Sequence, residues 1–251
     1  MGMISARLGI GVVILFGLPA GGLGQDTPRD LLNAMIQSRG GADKLAKLDF
    51  VQTRGKGTLR YLGQEFTFTD HTVQRLPEAT LRVAVMETSG RKLNFTQCVA
   101  ENSGWVAFDH ATRDLDTTTV EILREEMHVA HVLNLAALRG GKFALAVASA
   151  KRIAGKSAPG IKVTYPGMPD VVIFVDPDTK LPVKSEATVR DAELRRPILQ
   201  EVFFYDYQDR GGVQVPIKQV VYRDGAKFMD LELTEVKFAP PPERSVFAKP
   251  K

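Results

Sequence analysis

Apolar and polar residues alternate along this chain with two different periods, and the places where the period changes mark its elements. Leu31, Leu32, Met35 and Ile36 recur at helical spacing. Thr27 before Pro28, with Asp30 three positions on, is an N-terminal cap signature, and Gly40-Gly41 stops the run. Residues 42–48 predict a second, short helix with Leu45 and Leu48 on one face; a helix this short needs a partner surface. From Phe50 onward the period drops to two. Alternating stretches over residues 50–61, 65–73, 81–87, 92–99 and 105–108 are punctuated by Leu62-Gly63, Ser89-Gly90 and Ser103-Gly104. Residues 111–117, with Asp114 and Asp116, read as a turn, where Asp favours local backbone hydrogen bonds.

One long helical stretch interrupts the strands. Thr117 to Thr119 supplies a cap, and residues 120–138 follow until Gly140-Gly141. Its first turns carry Glu121, Arg124, Glu125 and Glu126, while residues 129–138 are nearly all apolar, so the helix is expected in an apolar trough. Strand patterns resume at 143–147, 161–165, 171–175, 181–189, 198–207, 213–222 and 227–238. Pro166-Gly167, residues 176–180, residues 209–212 and Asp224-Gly225 connect them; Asp-Gly between alternating segments is a strong hairpin signal. Pro240 to Pro242 end the strands, and Val246-Phe247 can tuck a short tail against them. The expectation is one mainly β (α+β) unit, a meander of about eleven antiparallel strands rather than βαβ units. A sheet that wide curls strongly, with one face covered by the N-terminal helix and the inserted helix.

The first 24 residues stand apart. Arg7 is followed by an uncharged apolar run over residues 8–18, then Pro19 and the small residues Ala20, Gly21, Gly22 and Gly24. That order is a secretory signal, shorter than the about 20 apolar residues of a spanning helix. Residues 1–24 are therefore expected to be cleaved after Gly24, leaving a single domain over 25–251 in a periplasmic or otherwise exported compartment. No cysteine lies near the cleavage zone, which excludes a lipid-modified N-terminal cysteine. The one cysteine, Cys98, has no internal disulfide partner and reads as a small buried residue. Apolar residues at 44% and charged residues at 25% suit a globular core. The net charge of +4 comes from scattered Lys and Arg, which points away from nucleic acid as a partner.

The sequence offers little catalytic chemistry. Glu125, His128 and His131 have the spacing of half a metal site, but neither HExxH nor HxxEH is present, and a solvated or capping role fits them better. No sequence feature joins His71 to His110, and there is no nucleophile elbow, P-loop or dinucleotide glycine pattern. No catalytic residue, metal ligand or cofactor is assigned. The charged stretch 190–196 reads as a solvated hairpin tip whose Arg195 and Arg196 are placed to meet lipid headgroups or a partner.

Four turn-rich segments occur in a fixed order: residues 40–45 (GGADKL), 176–184 (DPDTKLPVK), 205–218 (YDYQDRGGVQVPIK) and 233–237 (LTEVK) with 245–250 (SVFAKP). In these the chain resembles the LolA/LolB-like superfamily of outer-membrane lipoprotein carriers, and the related modules beside some exported zinc peptidases. The resemblance implies a half-open antiparallel β-barrel whose concave face is plugged by helices and holds acyl chains. It implies an exported carrier of a lipid or lipoprotein acyl chain, with a membrane-associated partner protein possible; the alternative is a non-enzymatic interaction module with a closed core. LolB-like members are themselves lipoproteins, and the cysteine this requires is absent. Burying about fourteen methylenes would gain roughly 11 kcal/mol before the costs of binding. The expected cavity lining is Phe66, Phe68, Leu81, Val83 and Val85, with Leu93, Phe95 and Trp105, facing Leu133 and Leu138 of the long helix. Alternation alone does not separate a hollow barrel from a filled one.

Overall fold

The computed structural model describes residues 27–250 apart from Leu62, His110, Glu193 and Ala239, so the signal-like segment 1–24 and His110 lie outside the described residues. Helix α1 (Pro28–Ser38) begins as its sequence predicts: Thr27 and Asp30 cap one another reciprocally. A short helix α2 (Ala42–Leu45) continues as a 3-10 turn over Ala46–Asp49. Six strands follow: β1 (Phe50–Tyr61), β2 (Gln64–Arg75), β3 (Ala79–Thr88), β4 (Arg91–Ala100), β5 (Ser103–Phe108) and β6 (Ala111–Asp114). Helix α3 (Thr117–Leu133) and a 3-10 turn (Ala136–Arg139) lead to β7 (Ala144–Ile153), β8 (Lys156–Thr164), β9 (Val171–Val175) and β10 (Pro182–Arg190). The chain closes with β11 (Pro197–Arg210), β12 (Val213–Arg223), β13 (Ala226–Phe238) and a 3-10 turn (Arg244–Phe247).

All thirteen strands form one sheet in the order β6-β5-β4-β3-β2-β1-β13-β12-β11-β10-β9-β8-β7. It is a curved, unclosed sheet made of two meanders joined where β1 pairs with β13, the first running outward along the chain to its edge and the second running inward from the opposite edge. The chain leaves the first meander at its edge, β6, and enters the second at the opposite edge, β7. Helix α3 is that edge-to-edge connection, which is why it touches β4 and β5 on one side and β9 and β10 on the other. Tight turns set the register: Ser89-Gly90, Ala154-Gly155 and Asp224-Gly225 each have both residues at positive φ, the geometry a two-residue hairpin needs.

Two expectations need correction. The sheet has thirteen strands rather than about eleven, and one of the additions is edge strand β6, formed by residues 111–114 instead of a turn. All four of its side chains are exposed, so it pairs through its backbone and leaves no apolar pattern to read. The long helix ends at Leu133, not 138, and its cap is Asp116, whose carboxylate accepts from Thr119 N. Its stop comes from tertiary contacts. Arg39 donates to the Leu133 carbonyl at 2.7 Å, Asn134 Nδ2 donates to Asp49 at 2.8 Å, and Leu135 turns to φ 62°.

The main core lies on the helix-covered inner face of β8–β12. Met35, Ile161, Ile173, Leu135, Leu138 and Val213 are all completely buried there. At the end of α1, Gly40 (φ 115°) sits so close to the β11–β12 turn that a Cβ would lie 2.1 Å from the Gly212 oxygen. That contact ties the first of the four turn-rich segments to the third.

Candidate functional site

Cross-strand register decides which side chains face α3. Leu93 pairs with Met86, Met86 with Phe68, Phe68 with Gly57, Gly57 with Leu231, Leu231 with Gln219 and Gln219 with Phe204. These residues form one row across the inner face. From β4 to β11 it crosses six strand spacings of about 4.8 Å, about 29 Å in all. Phe66, Leu59, Met229, Val221 and Val202 form a second row beside it. Phe95 shares the same face and stacks, tilted, on Phe108 at 5.2 Å.

Leu81, Val83, Val85 and Trp105 are on the opposite face, which corrects their assignment to the cavity. Their neighbours Thr80, Arg82 and Ala84 point inward instead, because Thr72 pairs with Arg82 and Gln74 with Thr80. Both sets alternate, and only the pairing with β2 and β4 tells which parity faces α3. Trp105 does not lie under the long helix. It packs with Cys98 on the outer face beneath the C-terminal tail, where both donate to the Phe247 carbonyl at 3.2 Å. Burial pushes the Cys98 thiol up to about 11. Leu138 is also displaced: it follows the helix break and is fully buried in the main core.

A cavity of about 380 Å³ lies between α3 and the sheet, a size usual for small-molecule sites. Its roof is Leu123, Met127, Ala130 and Leu133 of α3. The wall from β11–β13 is apolar, with Phe204, Met229, Leu231 and Leu233. The wall from β2–β4 is polar, with Asp70, Thr72, Thr80, Arg82 and Gln97. Away from α3 the inner face is left half-covered: Phe66, Met86, Leu93 and Phe95 are half-buried and Phe108 is 44% exposed. Of the expected lining, Leu133 borders the cavity, while Phe66, Phe68, Leu93 and Phe95 belong to this neighbouring strip. A wider groove, about 670 Å³, crosses the β1–β13 seam on the outer face, with Val85, Lys56, Lys218 and Glu232 among its walls.

This architecture has counterparts among solved structures. A LolA superfamily protein from Nitrosomonas europaea superposes with a TM-score of 0.59 at 13% identity, over 90% of this chain and 99% of that one. The chain has a LolA-like fold. A DUF1329 family protein from Desulfovibrio piger gives 0.54 at 10% identity, covering 89% and 100% of the two chains. A putative outer membrane lipoprotein-sorting protein domain from Vibrio parahaemolyticus gives 0.51 at 9%, covering 86% and 97%. No protein-family model matches the chain, and no curated protein matches it. At these identities the likeness is one of fold.

Within the LolA-like fold, α3 is held at both ends by polar contacts. At its start, Arg190 from the β10–β11 hairpin pairs with Glu125 at 2.7 Å and reaches Glu121 at 3.4 Å. Arg195 pairs with Asp116, the helix cap, so this hairpin tip is docked on the helix rather than freely solvated. Those contacts hold the Asp116 carboxyl below its usual range, through Thr119 first and Arg195 second. Arg196 pairs with Asp224. Glu126 points into the cavity between Arg223 and Arg82; burial raises its pKa, and the two guanidinium groups partly offset that. At the far end, Arg39 and Asn134 make the contacts that stop the helix.

His128 and His131 are not solvated. His128 is buried against Phe143 and Tyr165, and burial lowers its pKa. His131 approaches Asp49 at 3.5 Å. Among the described residues no three His, Cys, Asp or Glu side chains are grouped to hold a metal ion. Also among the described residues, no helix is long and apolar enough to cross a membrane. Sequence reasoning missed Arg39, Arg82, Glu126 and Tyr207 as cavity residues. The parity of β3 was the available signal for Arg82; the others are brought in by packing between elements distant along the chain.

Proposed function

We propose that the protein is an exported carrier of an acyl chain belonging to a lipid or lipoprotein, with no catalytic role. The observation that carries this reading is a helix-roofed cavity that continues into a half-exposed apolar strip on the same inner face. The strip and the cavity share the Leu93-to-Phe204 row, so a flexible chain seated there removes apolar surface from water along its length. Phe66, Phe68, Leu93, Phe95 and Leu133 are the expected contacts. Helix α3 acts as the lid, and loading requires its ion pairs with the β10–β11 hairpin to part. Solved structures of this fold that include a lipoprotein-sorting domain support the reading.

Trp105 is unsuited to report on binding, because it lies on the outer face. The test is a Trp105→Phe, Leu133→Trp double variant of residues 25–251, freed of lipid and titrated with a fatty acid. A blue shift of the new tryptophan is expected, and native mass spectrometry of the unstripped protein should show an acyl species. An empty protein whose emission ignores added fatty acid would refute the carrier. A second reading, a protein-interaction module, draws on the free sheet edges β6 and β7. Each pairs with one neighbour only, and β6 buries none of its side chains. Capture of an extended peptide by an otherwise lipid-indifferent protein would favour it.

A further inference from the structure

We propose that Arg39 is an anion-binding residue at the floor of the cavity, and that it takes the carboxylate or phosphate head of a single-chain amphiphile. The inference rests on the carrier reading and narrows its ligand. Arg39 is only 7% exposed, yet it borders the cavity beside Asn134 and Tyr207. Its Nε donates to the Gln214 carbonyl at 3.2 Å and its Nη1 to the Leu133 carbonyl at 2.7 Å. Both partners are neutral oxygens, and among the described residues no carboxylate pairs with it and Nη2 has no acceptor.

The neighbouring guanidinium groups, Arg82 on the cavity wall and Arg223 beside Glu126, are compensated. Arg82 pairs with Asp70 at 3.0 Å, and Arg223 with Asp191 at 3.0 Å. A buried charge without a counter-ion is costly, and proteins pair such groups. Here the cost is visible as a pKa lowered by burial. The two carbonyl bonds fix the plane of the guanidinium and leave donors for the fork geometry that carboxylates and phosphates accept. The Tyr207 hydroxyl donates to the Pro182 carbonyl at 2.8 Å, so it does not serve as the missing acceptor. An anionic head at this site would place its tail beneath α3, along the apolar wall of Met229 and Leu231.

The test compares equilibrium binding of dodecanoate, dodecyl phosphate and dodecanol to lipid-free protein (residues 25–251) at pH 8. At least one anion is expected to bind about 10-fold tighter than the alcohol, the scale of one charge-assisted hydrogen bond. Which anion is preferred separates a fatty-acid head from a phosphate head. Arg39→Met should erase the preference of anion over alcohol, and Arg39→Lys should retain part of it. Should Arg39→Met fail to fold, the comparison on the unmodified protein decides alone. Equal binding of all three ligands, or a preference that survives Arg39→Met, overturns the anion site and leaves the carrier standing. Binding of none overturns both.

Discussion

The two meanders of the sheet use alternation differently. In the second, β7–β13, one parity is a packed core: Ile161, Val163, Val171 and Ile173 have no accessible surface beneath α1 and the neighbouring turns. The other parity is a charged lattice in which Lys184 bridges Glu186 and Glu201 while Lys151 also reaches Glu186. In the first, β1–β6, apolar residues divide between the faces. Phe66, Phe68, Met86, Leu93 and Phe95 point inward, whereas Leu81, Val83, Val85 and Trp105 point outward. Neither face of that half is fully covered: Val83 is 41% exposed outside and Phe108 44% inside. A strand pattern thus specifies two faces, but the elements that come to lie on them decide which becomes core.

The contrast predicts unequal costs of truncation. Ile173→Ala should destabilise by about 3 kcal/mol, the cost of an aliphatic cavity in a closed core. Phe95→Ala should cost less, about 1–2 kcal/mol, since its ring is only partly buried, yet weaken acyl-ligand binding. Urea unfolding of both variants checks the pair. Equal losses would mean the inner face of the first meander is packed core, and the open strip would be lost as a site.

Next in size is the tail that covers the outer face of the first meander. Phe247 is 5% exposed, and its carbonyl accepts from both Cys98 and Trp105. Phe247→Ala should cost about 2 kcal/mol, less than a central core truncation because the tail can detach locally. Trp105 emission should shift red in the variant. An unshifted spectrum would show that β3 and β4 shield the tryptophan without the tail.

Much of this was legible along the chain, for local reasons. The α1 cap, the Asp224-Gly225 hairpin and the DPDTK turn are short-range devices whose residues state their own geometry. The folding of the four turn-rich segments into a LolA-like architecture followed from them. Edge strand β6 was hidden because residues 111–114 bury nothing. The end of α3 was hidden because Arg39, 94 residues away, takes the Leu133 carbonyl. The site was half legible: Phe66, Phe68, Leu93 and Phe95 share the inner face, but β3 has its apolar residues outside and Arg82 inside. No propensity marks that inversion, since it is made by register with β2 and β4.

A smaller effect comes from the turn that leads into β10. The Asp176 carboxylate accepts from Asp178 N and Thr179 N, both at 2.9 Å, and pairs with Lys156. The turn hydrogen bonds, first that of Thr179, hold its pKa down to about 2. A depressed carboxyl stabilises the fold above its ordinary value, and that contribution is lost as pH falls toward about 2. Asp176→Ala should therefore cost about 1 kcal/mol at neutral pH, and the variant should lose less stability than the parent between about pH 4 and pH 2. A pH-independent difference would assign the cost to turn geometry alone.

The smallest expected effect tests how the two meanders communicate across the cavity. Glu126 of α3 lies between Arg82 of the first and Arg223 of the second, and burial raises its pKa above the ordinary 4.5. A raised carboxyl makes the folded state the better proton binder, so its contribution to stability declines as pH rises from the ordinary value through the folded one. Glu126→Gln removes that decline without stranding either guanidinium, because Arg82 keeps Asp70 and Arg223 keeps Asp191. The stability of Glu126→Gln relative to the parent should thus climb with pH from about 4.5 upward and then level off, which chemical unfolding at stepped pH would record. A flat difference would mean that water solvates Glu126 as fully in the folded chain as in the unfolded one. The space under α3 would then be a hydrated cleft between two separately stable half-sheets, and an acyl chain entering it would have to expel ordered water from the Arg82–Glu126–Arg223 side before meeting the apolar wall.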